Sequence, residues 1–151
     1  MPTILSRARP ETRKIAAVLA KEILNKPLKI NSALILALSG DLGAGKTTFT
    51  QSFIKNCGIK KRITSPTFLL IRSYKLKAEN YQLIYHIDAY RIKKSKELLS
   101  LGIKEILNNN KNIILIEWPE KIRKFLPRQT IWIKFKHGKK ENERIIKINQ
   151  N

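Results

Sequence analysis

Residues 39–48, with the sequence SGDLGAGKTT, have the composition of a loop that binds phosphate. Gly40, Gly45, Lys46 and Thr47 match the pattern GxxxxGK[ST]. The glycines let the backbone curl so that successive N–H groups face phosphate oxygens, and the helix that follows adds the positive end of its dipole. Lys46 would bridge the β- and γ-phosphates, and the Thr47 hydroxyl would reach Mg²⁺. The sequence therefore predicts a nucleotide site.

Two carboxylates could complete this site, because a phosphate loop needs an acid at the end of a neighbouring strand to hold Mg²⁺. Glu117 ends the hydrophobic run IILIE and is the preferred metal ligand. Asp88 ends LIYHID and is assigned to positioning water or supporting the ligands. Strand alternation would put His86, Asp88 and Tyr90 on one face. Two other roles stay open: Asp88 as a cap of the next turn, and His86 as a hydrogen-bonded, half-buried side chain.

Thr67, in the tetrapeptide SPTF, lies in a loop downstream of the phosphate loop and just before a predicted strand. Switch-type NTPases sense the γ-phosphate with a threonine in such a loop. An ordinary entry from loop to strand is an equally open interpretation. Trp118, directly after Glu117, either faces the site or a partner, or belongs to the core.

The elements around these residues predict an α/β protein. Residues 11–25 repeat apolar side chains at helical spacing, and Phe49, Phe53 and Cys57 form a second helical stripe after the loop. We expect Cys57 to be a small core residue. Extended segments are predicted at 33–38, 68–75, 81–87, 112–118, 130–136 and 144–148, and short helices at 95–102, 103–107 and after Pro119. We predict one P-loop NTPase-like domain over residues 1–151, with three layers and a mixed central β-sheet.

Composition limits the classes of partner and compartment. With 31 Lys and Arg against 11 Asp and Glu, the formal charge is +20. Such a charge favours a polyanionic partner such as RNA, but it is also typical of compositional drift in a chain rich in Lys, Ile and Asn. The basic runs look scattered, at 60–62, 93–96, 121–124 and 136–140. The single cysteine, the absence of a long apolar run and the polar start of the chain favour the cytoplasm and no membrane.

Five stretches taken together resemble one family: GDLGAGKTT, SPTF, HIDAYR, ELLSLG and IEWPE. Their order and spacing over about residues 12–120 are similar to those of the bacterial tRNA threonylcarbamoyladenosine biosynthesis ATPase family, TsaE, also called YjeE. Many families share the phosphate loop, whereas the set of five is specific. The tail from about residue 128 matches poorly. The family often has a Gly-Arg pair before its last strand where this chain has KKENER, which leaves a nucleotide or partner contact from that segment open.

The resemblance implies a P-loop α/β fold that binds ATP with Mg²⁺. It also implies that the protein acts with TsaB and TsaD in the threonylcarbamoyl modification of the adenosine beside the anticodon of tRNA. TsaD would make the transfer, and the ATPase would bind the TsaB–TsaD assembly and reset it between rounds. By motif, the resemblance implies nucleotide contacts from Asp41, Leu42, Gly43, Ala44, Gly45, Lys46, Thr47, Thr48 and Thr12, Mg²⁺ contacts from Thr47 and Glu117, and roles in hydrolysis for Lys46, Asp88 and Thr67.

Two other functions are compatible with a phosphate loop. A small kinase acting on a nucleoside or metabolite would need an acceptor pocket and a lid with arginines, for which only Arg91 and Arg123 are obvious candidates. A basic RNA-binding module with a vestigial nucleotide site would have lost some chemical groups, yet Lys46, Asp88 and Glu117 are all present. The regulatory ATPase is therefore the preferred hypothesis.

Overall fold

A mixed seven-stranded β-sheet forms the centre of the protein in the computed structural model, which describes residues 2–64 and 70–150. The spatial order of the strands is β1-β7-β6-β2-β5-β4-β3. The four inner strands β6, β2, β5 and β4 run parallel, and the β1–β7, β7–β6 and β4–β3 pairs are antiparallel. The strands span Thr3–Ser6 (β1), Leu34–Gly40 (β2), Ile71–Lys75 (β3), Leu83–Asp88 (β4), Asn112–Glu117 (β5), Ile131–His137 (β6) and Arg144–Gln150 (β7).

Helices cover both faces of the sheet. Helices α1 (Arg9–Asn25) and α2 (Lys46–Asn56) pack on one face, and α3 (Lys96–Leu99), α4 (Ile103–Asn108) and the 3₁₀ helix Pro119–Phe125 pack on the other. Every residue of β5 is buried, as expected for a strand covered on both sides. Alternate residues of the central strands therefore enter two separate cores. The prediction of a three-layer α/β fold with a mixed sheet is confirmed.

The two cores have different compositions. Phe49 and Phe53 of α2 fill the first core, where the Phe49 ring meets Phe135 of β6 edge to face with centroids 5.5 Å apart. Cys57 lies in this core, as predicted, and burial raises its pKa to about 12. The second core is mainly aliphatic, with Leu98 and Ile103 packed against the other face of the sheet.

Several boundaries differ from the sequence predictions. Strand β1 was not predicted, because its four residues stand alone at the edge and acquire strand geometry only by pairing with β7. Helix α1 begins at Arg9, since Pro10 suits the first turn of a helix. Strand β3 begins at Ile71, and the part of the predicted 68–75 segment before residue 70 lies outside the described residues. In the part of the chain that the structure describes, no helix has the length and apolar character needed to cross a membrane.

Candidate nucleotide-binding site

The phosphate loop joins the end of β2 to the start of α2, and two glycines fix its path. Gly40 has φ 143°, and a Cβ there would lie 2.4 Å from the carbonyl oxygen of Phe135 on β6. Gly45, with φ 105°, is the residue immediately before α2. Residues that carry a side chain rarely adopt such φ values. Glycine therefore allows the loop to turn tightly into the helix.

Lys46 is buried at the start of α2, with 6% of its surface exposed. Its ammonium donates hydrogen bonds to the carbonyl oxygens of Gly40 and Asp41, the latter at 2.8 Å. It also lies 4.3 Å from the centroid of the Trp118 ring. Burial lowers the pKa of Lys46, and nearby carboxylates, Glu117 first among them, act in the opposite direction. The lysine is therefore held among neutral partners beside several acidic side chains.

Glu117 and Asp88 end two adjacent parallel strands and are paired in the register of β4 and β5. The Glu117 side chain is 3% exposed. Its Oε2 lies 3.6 Å from Nε2 of His86, which is completely buried. Among the described residues, Glu117 Oε1 and both ring nitrogens of His86 have no hydrogen-bond partner. His86 is therefore completely buried rather than half-buried, and that part of its interpretation is wrong.

Asp88 is half-buried and has the capping role considered from the sequence. Its Oδ1 accepts a hydrogen bond of 3.0 Å from the backbone N–H of Tyr90, so it caps the turn after β4, and it also lines the cavity described below. Burial raises the pKa of Asp88; the Tyr90 N–H lowers it, and the charge of Glu117 raises it further. Tyr90 itself lies beyond the end of β4, so it does not share a strand face with His86.

A cavity of about 410 Å³ lies between the phosphate loop, the ends of β4 and β5, and the turn between β6 and β7. Asp41 and Ala44 belong to the loop but do not line the cavity, and Thr67 lies outside the described residues. The predicted residues in its wall are Thr12, Leu42, Gly43, Gly45, Lys46, Thr47, Thr48, Asp88, Glu117 and Trp118.

Two predicted residues reach the cavity from other parts of the fold. Thr12 of α1 is 2% exposed, and its hydroxyl lies 2.8 Å from the Ser6 hydroxyl. Trp118 has a left-handed backbone with φ 59°, the only positive φ outside glycine among the described residues. Its ring packs against Tyr90 with centroids 5.0 Å apart. Such backbone conformations are sparsely populated and concentrate at functional sites. Trp118 therefore belongs to the site as well as to the edge of the second core.

Sequence reasoning did not predict the wall formed by Arg9 and by the turn before β7. Arg144 donates hydrogen bonds to the carbonyl oxygens of Gly43, at 3.1 Å, and Glu141, at 2.6 Å. Because KKENER departs from the family's Gly-Arg pattern, the sequence did not decide whether this segment contacts the nucleotide site. In the structure, the segment lies against the phosphate loop. The pairing of β6 with β7 places Arg144 beside the phosphate loop, although the residue before it is not the glycine of the family pattern. The arginine at the end of KKENER was the one signal available in the sequence.

Comparison with known proteins identifies the family of this chain. The family model "Threonylcarbamoyl adenosine biosynthesis protein TsaE" matches residues 6–146. The tRNA threonylcarbamoyladenosine biosynthesis protein TsaE of Rickettsia felis is 43% identical over 142 residues, which are 93% of this chain and 75% of that protein. The corresponding protein of Rickettsia prowazekii is 43% identical over 85% of this chain and 82% of its own.

A solved structure supports the same assignment. The crystal structure of Bacillus subtilis YdiB superposes with a TM-score of 0.74 at 28% identity, covering 99% of this chain and 84% of that one. The glycine loop, the carboxylates at the strand ends and these similarities lead to one conclusion. The chain belongs to the TsaE family, whose members take part in tRNA threonylcarbamoyladenosine biosynthesis.

Proposed function

We propose that this chain is a slow, Mg²⁺-dependent ATPase of the cytoplasm that acts with TsaB-like and TsaD-like proteins in the threonylcarbamoyl modification of tRNA. The observation that supports it most is the meeting of Lys46, Asp88 and Glu117 around one cavity beside the phosphate loop. A volume of about 410 Å³ is within the range of small-molecule sites, roughly 300–1,000 Å³. Membership of the TsaE family supports the tRNA pathway.

Lys46 would exchange hydrogen-bond partners when ATP binds. Its ammonium now donates to the neutral carbonyls of Gly40 and Asp41. Phosphate oxygens carry charge and are stronger acceptors than carbonyls. Because burial disfavours the Lys46 charge, a bound triphosphate would stabilise the ammonium more than these carbonyls do. Lys46 would then bridge the β- and γ-phosphates and stabilise the negative charge that develops during hydrolysis.

Thr47 and Glu117 are oxygen donors that fit a Mg²⁺ ion. Glu117 offers Oε1, which has no partner among the described residues, and Thr47 is an exposed residue at the start of α2 that lines the cavity. Hard oxygen ligands of this kind, together with water and phosphate, suit Mg²⁺. When bound, Mg²⁺ would supply positive charge that offsets the negative charge of the phosphates. Glu117 and Thr47 would orient it toward the phosphate loop.

Water is the proposed acceptor of the phosphoryl group, and Asp88 is proposed to orient it. Glu117 is followed by Trp118 rather than by a second carboxylate, and Asp88 is the acid paired with Glu117 at the end of the adjacent strand. Since burial disfavours the Asp88 charge, we expect turnover to be slow until partner proteins order the site. Thr67, which lies outside the described residues, is proposed to order its loop only while the γ-phosphate is present. Hydrolysis would then reset the TsaB–TsaD assembly.

Phosphate release from Mg-ATP tests this proposal, with the purified chain alone and with its TsaB and TsaD counterparts. We expect slow release alone and clear stimulation by the pair. Lys46→Ala should reduce stimulated release about a hundredfold or more, because it removes a preorganised charge at the phosphates. Lys55→Ala, an exposed change in the last turn of the same helix, is the matched control and should keep full activity. A rate of phosphate release that does not change when TsaB and TsaD are added would contradict the regulatory role. Small molecules with a hydroxyl group would then be screened as phosphoryl acceptors of a kinase.

A further inference from the structure

Two basic runs that are far apart in the sequence meet on one surface of the protein. The first run, KKSK at 93–96, precedes and begins α3, and the second, KIRK at 121–124, lies on the 3₁₀ helix after β5. Side chains from both runs line an open groove of about 770 Å³, here called the basic groove. Its cations are Lys93, Lys94, Lys96, Lys121, Arg123 and Lys124, and Glu120 is the single acid in its lining.

The charge of the basic groove is largely uncompensated. Within residues 2–64 and 70–150, no Lys or Arg lies within salt-bridge distance of a carboxylate. The carboxylate of Glu97 accepts the backbone N–H groups of Lys93 and Lys94, both at 3.2 Å, and leaves their ammonium groups unpaired. All six cationic side chains are exposed. Because like charges gathered on one surface repel one another, this surface gains from binding a polyanion.

The chemistry of the groove favours a nucleic acid over a protein. None of the residues that line it is hydrophobic. The centres of protein–protein interfaces are depleted in Lys and enriched in aromatic and other apolar side chains, whereas phosphate backbones are bound chiefly by Lys and Arg. Tyr90 lines the nucleotide cavity and is 48% exposed, and its ring centroid lies 5.8 Å from Nζ of Lys121 in the groove. An exposed aromatic ring beside cations suits an unpaired base.

Lys121 connects the basic groove to a residue of the nucleotide cavity. Lys121 donates hydrogen bonds to the carbonyl oxygens of Tyr90, at 2.6 Å, and Ile92, at 3.3 Å. The Tyr90 ring packs against the Trp118 ring, whose centroid lies 4.3 Å from Lys46 Nζ. A ligand that contacts Lys121 in the groove would therefore touch the side chain that holds the Tyr90 backbone at the cavity wall.

We propose that the basic groove is a docking surface for the phosphate backbone of RNA, with tRNA as its occupant. The identity of the RNA rests on the proposed function, because tRNA is the substrate of the pathway in which the TsaE family takes part. Lys93, Lys94, Lys96 and Lys124 would contact phosphates, and Tyr90 would stack against a base at the edge of the nucleotide cavity.

The test compares two variants with equal changes in net charge. Lys94→Glu/Lys96→Glu/Lys124→Glu alters the basic groove, and Lys60→Glu/Lys61→Glu/Arg62→Glu alters an equally exposed basic run outside it. The measurement is fluorescence anisotropy of a labelled, unmodified tRNA over a series of KCl concentrations, without nucleotide or partner proteins. We expect the groove variant to lose affinity about tenfold or more. Each lost phosphate contact should lower the slope of log Kd against log salt by about one. The control variant should keep nearly the wild-type slope.

Three outcomes would overturn the proposal. Equal losses in both variants would mean that tRNA senses only the overall charge, and wild-type affinity in the groove variant would remove the groove from RNA binding. If the groove variant kept tRNA affinity but lost binding to the TsaB–TsaD counterparts, the surface would be a protein interface. Binding of a fluorescent ATP analogue is measured on the same samples and should not change in either variant. Failure of the ATPase proposal would appear in the phosphate-release assay described above and would leave the tRNA comparison intact.

Discussion

At the scale of single residues, Asp88 is a carboxylate whose charge the folded protein disfavours. Burial raises its pKa, and the neighbouring Glu117 adds to this effect. The N–H of Tyr90 opposes the shift but does not cancel it. Groups with such perturbed pKa values are enriched at active sites. The residues that an active site needs often lower the stability of the folded protein. The charge that hydrolysis would need therefore destabilises the protein when no ligand is bound.

Asp88→Asn should raise the unfolding temperature at neutral pH by a few degrees in buffer without nucleotide or metal. The unfolded Asp has a pKa of about 3.9, and the folded value is raised. The stability contribution of this carboxyl is therefore complete below about pH 4 and is lost as the pH rises through the folded pKa. Asparagine keeps an oxygen that accepts the Tyr90 N–H but has no charge.

Thermal unfolding of the two proteins between about pH 4 and 8 measures this difference, which should shrink toward the acid end. The same variant should lose partner-stimulated phosphate release. A variant that is less stable than the wild type at neutral pH would contradict the proposed cost of the buried charge.

At the scale of elements, the site depends on how the phosphate loop packs against a neighbouring strand. Gly40 lies at the end of β2 and contacts the backbone of β6 at Phe135, so the loop has no room for a side chain there. The ring of Phe135 in turn packs against Phe49 of α2. Strand β6 thus supports both the beginning of the loop and the helix that follows it.

Gly40→Ala should destabilise the protein by at least about 2 kcal/mol, because it combines a steric clash with a strained backbone. Gly58→Ala is the matched control: Gly58 also has a positive φ of 92°, but no atom of residues 2–64 and 70–150 lies within 4 Å of the added Cβ. That change should cost only about 1 kcal/mol, from the left-handed backbone alone. Denaturant unfolding of both variants gives the two free energies. Equal losses would mean that the contact with β6 has no energetic role.

At the scale of the whole molecule, the charge of +20 opposes folding. In the described part of the chain, the only contact within salt-bridge distance joins His86 to Glu117, so Lys and Arg form no direct ion pairs with carboxylates. Repulsion between exposed like charges destabilises a compact state, and salt screens it. The protein should therefore be more stable in salt than in water of low ionic strength.

The unfolding temperature should rise by several degrees when NaCl increases from about 0.01 M to 0.15 M, since the screening length falls from about 30 Å to 8 Å. The Lys60→Glu/Lys61→Glu/Arg62→Glu variant has a lower net charge and should show a smaller rise. Differential scanning calorimetry at neutral pH measures both. A fall in unfolding temperature with salt would show that attractive charge pairs outweigh the repulsion.

The sequence by itself determined the features that depend on neighbours along the chain. The phosphate loop and α2 are contiguous, so glycine spacing and helical periodicity were enough to predict them. The buried strand β5 was recognisable because both of its faces are apolar. The carboxyl ends of parallel strands share one edge of a sheet, which is why Asp88 and Glu117 could be grouped before the fold was described.

Only the tertiary structure decided which distant segments meet. Arg144 is nearly a hundred residues from the phosphate loop, and the pairing of β6 with β7 brings it to Gly43. The edge strand β1 has no local signal strong enough to predict it, because its hydrogen bonds come from β7. The basic runs at 93–96 and 121–124 look scattered in the sequence and form one groove in the fold. The physical reason is common to all three: contacts between remote residues depend on strand order and packing, which a local pattern does not encode.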